Sequence, residues 1–115
     1  MPSVNYAANE YAAVIERVID GDTVVALVDL GQTVLKRDTY RLAGIDSPEM
    51  NTDAGRKAKA HLIGLLAPVH NMVRMRTTKA DKYGRYLANL YVNDVYINRQ
   101  MIDDGHAVPY DGGYR

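Results

Sequence analysis

Short apolar runs alternate with turn-forming clusters along the 115 residues, and this rhythm predicts five strands and two helices. Residues 11–19 carry Val14, Ile15, Val18 and Ile19 and read as a first strand. Asp20-Gly21-Asp22 interrupts it, because glycine tolerates positive φ and aspartate hydrogen-bonds its own backbone. Residues 23–30 are β-branched and apolar and predict a second strand, with Gly31-Gln32 as the next turn. A third strand is expected over residues 34–45, ended by Pro48. The spacing then becomes helical, with Ala58, Leu62, Leu65 and Leu66 on one face. Thr52 or Asp53 is placed to cap this helix, and Pro68 stops it. Residues 69–78, with Met72, Val73 and Met75, predict a fourth strand, and residues 79–84 a polar loop. In residues 85–92, Leu87, Asn89 and Tyr91 oppose Tyr86, Ala88, Leu90 and Val92, the pattern of a fifth strand. After the Asn93-Asp94 turn, residues 97–104 predict a short helix with Ile97 and Met101 inward and Gly105 at its left-handed cap.

Five short strands with a helix between the third and fourth fit a mainly β fold with helices (α+β), a small five-stranded OB-fold barrel with two helices. A three-stranded sheet with a separate hairpin is the simpler alternative. A mass of 12.8 kDa suggests one domain around one core. Residues 1–10 lack periodicity and are expected to be a loose lead-in to a single domain over residues 11–115. The absence of cysteine excludes disulfides and thiolate metal sites. No apolar run is long enough to cross a membrane, so no membrane role is expected. The N-terminus lacks the basic and apolar regions of a secretory signal. As it stands the chain is expected in the cytoplasm, or exported if its N-terminus was trimmed.

Charge adds a further constraint. The net charge is zero, yet residues 51–86 hold eight basic and two acidic side chains, leaving this stretch +6 and the remainder −6. Such a split can orient a polyanion over one face, or simply be solvated charge.

Candidate chemistry gathers in the turns. Asp22, Asp46 and Glu49 each lie in a turn or beyond a strand end. If the first and third strands share one barrel, Asp22 and Asp46 converge, and convergent carboxylates repel unless a cation or proton neutralises them. Their hard oxygens favour Ca²⁺ or Mg²⁺. Equally, Asp20 and Asp22 can merely stabilise a turn, and Asp46 cap one. Arg41 precedes Asp46 on the same strand and Arg85 follows Asp81-Lys82-Tyr83-Gly84. Arginine gives bidentate hydrogen bonds to phosphate and stays charged, so acids, a metal and two arginines suit phosphodiester hydrolysis. Glu49 is placed to orient or deprotonate water. Isolated surface ion pairs are the plain reading of both arginines.

Three segments carry a resemblance. Ile19-Asp20-Gly21-Asp22-Thr23, then Arg41-Leu42-Ala43-Gly44-Ile45-Asp46-Ser47-Pro48-Glu49, then Asp81-Lys82-Tyr83-Gly84-Arg85 resemble, in order, the signature segments of the staphylococcal nuclease-like (thermonuclease) family. The likeness extends in outline from residue 14 to about residue 107. It implies an OB-fold barrel and Ca²⁺-dependent cleavage of DNA or RNA with little sequence preference. It further implies that Asp22 and Asp46 ligate Ca²⁺ by side chain and Ser47 by its backbone carbonyl, where the family usually has Thr. Glu49 matches the acid proposed as general base for the in-line attack of water. Arg41 and Arg85 match the phosphate-binding pair that stabilises the transition state. Lys82 and Tyr83 match nucleotide-phosphate contacts, and Asp20 an acid acting on the metal through water.

The chain also departs from the family's best-known pattern. The segment after the first helix is shorter, and the chain stops at Arg115, so the family's C-terminal helix is expected to be missing or replaced. The balanced charge contrasts with strongly basic secreted members. The tail over residues 109–115 looks like that of smaller bacterial and phage members, and its Tyr110 is a candidate for stacking on a base or for packing. His61, His70 and His106 are far apart and share no ligand spacing, so zinc is not expected. Nucleic acid is the expected partner of a monomer with no obligate protein partner. The alternative is a catalytically weak or inactive OB-fold module that binds nucleic acid or protein.

Overall fold

Residues 9–79 and 86–110 are described by the computed structural model. Strands β1 (Glu10–Asp20), β2 (Thr23–Asp29) and β3 (Leu35–Leu42) form an antiparallel meander, followed by the two-residue β4 (Ile45–Asp46) and helix α1 (Asp53–Leu66). Next come β5 (Met72–Lys79), β6 (Tyr86–Val92), the short β7 (Val95–Tyr96), helix α2 (Ile97–Asp103) and β8 (Val108–Pro109). The main sheet runs β3-β2-β1-β5-β6-β7, and a parallel pairing of β3 with β6 closes five of these strands into a barrel. This is the expected OB-fold architecture with two helices. β4 and β8 form a separate antiparallel pair, Ile45 with Pro109 and Asp46 with Val108.

Alternation explains the core. Val24, Ala26 and Val28 of β2, Tyr40 and Leu42 of β3, Val73 and Met75 of β5, and Ala88 and Leu90 of β6 all point inward. Helix α1 closes one end of the barrel with Ala58, Leu62 and Leu66, and α2 adds Ile97 and Met101.

Four details differ from the expected pattern. In β1 the pairing with β2 skips Glu16, so Ala13, Ile15 and Val18 turn inward and Val14 remains exposed. The third strand does not run to residue 45, because Gly44, at φ +77°, turns the chain and hands Ile45–Asp46 to β8. The fourth begins at Met72 rather than 69, because Ala67–Val69 forms a 3₁₀ turn and His70 and Asn71 are left-handed. The lead-in ends sooner than expected, since Glu10 already pairs with Arg76.

Candidate active site

The Asp20-Gly21-Asp22 turn joins β1 to β2 and packs beneath α1. An added Cβ on Gly21 would lie 2.8 Å from both the Ala58 and the Ser47 Cβ atoms, so only glycine lets turn, helix and Ser47 loop meet. The turn is internally tied, with the Asp22 N–H donating to Asp20 Oδ1 at 3.0 Å. Asp22 is 4% exposed. Its Oδ2 accepts the Ser47 backbone N–H at 3.0 Å, and its Oδ1 accepts the Thr23 hydroxyl at 2.9 Å. Register places Thr23 opposite Arg41, which brings the guanidinium to the same spot. Arg41 Nη2 lies 3.1 Å from Asp46 Oδ1 and 3.5 Å from Asp22 Oδ2, and donates to the Ile45 carbonyl at 3.3 Å. The guanidinium carbon sits 5.1 Å from the Tyr110 ring centroid. Tyr110 is held there by its N–H on the Gly44 carbonyl at 2.8 Å, an extension of the β4–β8 pair.

Loss of solvation and the neighbouring Asp20 carboxyl push the Asp22 acid above the usual carboxylate range, against the lowering effect of Ser47, Thr23 and Arg41. A buried carboxylate whose acid is raised in spite of the Arg41 guanidinium 3.5 Å away would be eased by further positive charge. The oxygens are of the hard type that Ca²⁺ takes, but in this arrangement Asp22 and Asp46 direct theirs at one common nitrogen of Arg41, and Asp20 accepts the Asp22 N–H. Among the described residues no three His, Cys, Asp or Glu side chains converge, so carbonyls and water would complete the six to eight oxygens calcium takes.

Glu49 is exposed, and among the described residues its side chain makes no recorded hydrogen bond or ion pair. Its backbone is nonetheless held. The Glu49 carbonyl accepts the Thr52 N–H at 3.0 Å and the Thr52 hydroxyl at 2.6 Å, and Thr52 caps α1 by accepting the Gly55 N–H at 3.0 Å. Arg85, Lys82 and Tyr83 lie outside the described residues. The structure thus brings Asp22, Arg41, Asp46, the Ser47 amide and Tyr110 together, with Asp20 tied to the Asp22 N–H in the turn and Glu49 on the adjoining loop.

Sequence reasoning missed two supports of this site. Gly55 belongs to α1, and a Cβ there would stand 1.9 Å from the Glu49 carbonyl oxygen, so the helix is pressed against the loop that carries Glu49. Asn98, 1% exposed, accepts the Leu90 N–H at 3.1 Å and donates to the Ala43 and Ala88 carbonyls at 2.9 and 3.0 Å. An asparagine at an otherwise apolar helix position was the available signal. His61 and His106, distant in sequence, stack at 4.2 Å, and His61 Nε2 lies 2.6 Å from Asp104 Oδ2.

Residues 39–115 match the family model for staphylococcal nuclease homologues, a range that begins just before Arg41 and leaves Asp20 and Asp22 upstream. Among curated proteins, "Protein ParB" of Escherichia coli is 36% identical over 103 residues, covering 82% of this chain and 54% of that protein. "Probable staphylococcal-like nuclease CAN3" of Oryza sativa subsp. japonica is 30% identical over 76 residues, covering 66% of this chain and 20% of its own length. "Endonuclease YhcR" of Bacillus subtilis (strain 168) is 29% identical over 122 residues, covering 95% of this chain and 10% of its own length. The chain therefore spans from about a tenth to about half of the length of these relatives. With the barrel, the ordered motifs and a match over well more than half of its length, the chain belongs to the staphylococcal nuclease homologue family.

Proposed function

We propose that this chain is a Ca²⁺-dependent nuclease that hydrolyses phosphodiester bonds of DNA or RNA with little sequence preference. The observation that carries the reading is the meeting of Asp22, Asp46 and Arg41 in one hydrogen-bonded cluster in a member of this family. The nuclease names of several relatives support it.

In this reading Asp22 and Asp46, with the Ser47 carbonyl, hold the cation. When bound, it supplies positive charge against the phosphate oxygens. Arg41 donates N–H bonds to a non-bridging phosphate oxygen, and Arg85 and Lys82, by motif, add charge from the segment between β5 and β6. Tyr83, by motif, orients the same phosphate. Glu49, on an exposed loop open to water, takes a proton as the water oxygen bonds to phosphorus. The bond to the 5′ oxygen breaks with its electron pair, in line with the attack, and that oxygen takes a proton from solvent. The guanidinium groups stabilise the negative charge that accumulates on the equatorial oxygens.

The test is cleavage of single-stranded DNA with Ca²⁺, with chelator, and by Glu49→Gln. Cutting is expected only with Ca²⁺, and the variant should lose roughly 10²–10⁴-fold in rate while keeping its circular dichroism. Full turnover by Glu49→Gln would remove the proposed base. A folded parent protein that cuts under no condition would be a binding module instead.

A further inference from the structure

The strand that leads away from Arg41 carries a second surface. Leu87 of β6 pairs with Arg41 across the barrel closure, and beyond it Asn89 and Tyr91 lie on the outward side, opposite the buried Ala88 and Leu90. The exposed Arg76 and Arg74 of β5 stand opposite Asn89 and Tyr91, and Tyr96 of β7 flanks Tyr91 on the other side.

These side chains are braced into a shelf. The Tyr91 and Tyr96 rings stack with centroids 5.1 Å apart and planes 19° apart. The Arg74 guanidinium carbon lies 5.2 Å from the Tyr91 centroid. The Tyr96 hydroxyl donates to Asn89 Oδ1 at 2.5 Å, and Asn89 Nδ2 donates to the Arg76 carbonyl at 3.2 Å. The Tyr96 hydroxyl is thus occupied, and with Tyr91 flanked by Arg74 and Tyr96 the ring surface left to a partner is that of Tyr96, 37% exposed. Among the described residues Glu10, 3.6 Å from Arg74, pairs with one of the two arginines, both of which belong to the basic stretch of the chain.

We propose that this outer face of β5, β6 and β7 is a track for single-stranded nucleic acid that continues from the Arg41 cluster. Arg74 and Arg76 meet phosphates, and Tyr96, backed by the Tyr91 ring that Arg74 flanks, receives an unstacked base. At about 3.3 Å per residue, Tyr91 lies roughly 13 Å along β6 from Leu87, so one strand can engage both places. Stacking on a ring face needs an unpaired base and tolerates any base, which selects single strands without selecting sequence. The position of the track relative to the chemistry rests on the proposed nuclease reading. Its binding does not.

The experiment measures binding without cutting. Fluorescence anisotropy of a labelled single-stranded 12-mer of dT is followed in chelator, over a range of salt, for the parent, Tyr96→Leu and Arg76→Gln. Tyr96→Leu should weaken binding about fivefold or more. Arg76→Gln, at an exposed position, should reduce the slope of log affinity against log salt by about 0.7. Affinities and slopes equal to the parent's, in variants of parental circular dichroism, would overturn the track, as would a parent that does not bind the strand. A protein that cuts DNA yet shows no change in either variant keeps the nuclease and loses the track. One that binds through these residues and cuts nothing does the reverse.

Discussion

Asp22 shows how the site conflicts with stability at a single residue. Burial and Asp20 raise its pKa on folding. A raised acid contributes stability below the unfolded carboxylate value of about 3.9, and that contribution is lost as pH rises through the folded value. At neutral pH the ionised Asp22 therefore opposes folding of the metal-free protein. Asp22→Asn keeps an oxygen for the Ser47 N–H and can turn its amide towards the Thr23 oxygen, while losing the charge. Its melting temperature in chelator at pH 7 should exceed the parent's, and added Ca²⁺ should no longer raise it. A lower metal-free melting temperature would mean that the ion pair with Arg41 outweighs the burial cost. The sequence signalled the carboxylate through its Asp-Gly-Asp turn. Its burial was not legible, because the groups that meet it, the Ser47 N–H and the Arg41 guanidinium, are remote along the chain.

Elements were legible where their signals are local. Thr52 caps α1 as its hydroxyl chemistry predicts, and Gly105, at φ +82°, ends α2 with Gly105 N–H on the Ile102 carbonyl and His106 N–H on the Met101 carbonyl. The bulge in β1, the break at Gly44 and the β4–β8 pair were hidden, since each is decided by a partner strand rather than by its own composition. Gly55 was hidden for the same reason. Gly55→Ala suits a helix by propensity, yet its Cβ would drive into the Glu49 carbonyl. Overpacking against backbone should cost about 3 kcal/mol in urea denaturation and displace the Glu49 loop, lowering nuclease turnover as well. A more stable variant would show that the loop yields freely. Between the helices, His61 and then Gln100 hold the Asp104 acid below the usual carboxylate range. A lowered acid stabilises above about pH 3.9, and the benefit disappears as pH falls through the folded value. Melting temperatures of the parent and Asp104→Asn should thus differ at pH 5 and converge towards pH 2.5.

At the scale of the molecule, the candidate site lies at the weakest closure of the barrel. β2 and β3 share seven residue pairs, whereas β3 and β6 share two, Arg41 with Leu87 and Leu42 with Ala88. Arg41, which bridges the two acids, therefore depends on a seam with little ladder of its own. Asn98 fastens that seam from α2 by bonding the Ala43 turn and two residues of β6. Asn98→Ala would leave the Leu90 N–H and the Ala43 carbonyl without these partners, while the Ala88 carbonyl keeps the Ala43 N–H at 2.9 Å. At about 1–3 kcal/mol for each of the two orphaned groups, the loss should be roughly 2–6 kcal/mol by urea denaturation. Asn98→Asp separates lost hydrogen bonds from lost volume. It keeps an acceptor for Leu90 but sets a buried carboxylate against two carbonyl oxygens, which raises its pKa. Its stability should therefore fall as pH rises, from partial recovery near pH 4 to a deficit larger than that of Asn98→Ala at pH 7. An Asn98→Asp variant as stable as the parent at every pH, beside a destabilised Asn98→Ala, would show that side-chain volume at this position, and not the three hydrogen bonds, holds the barrel closed.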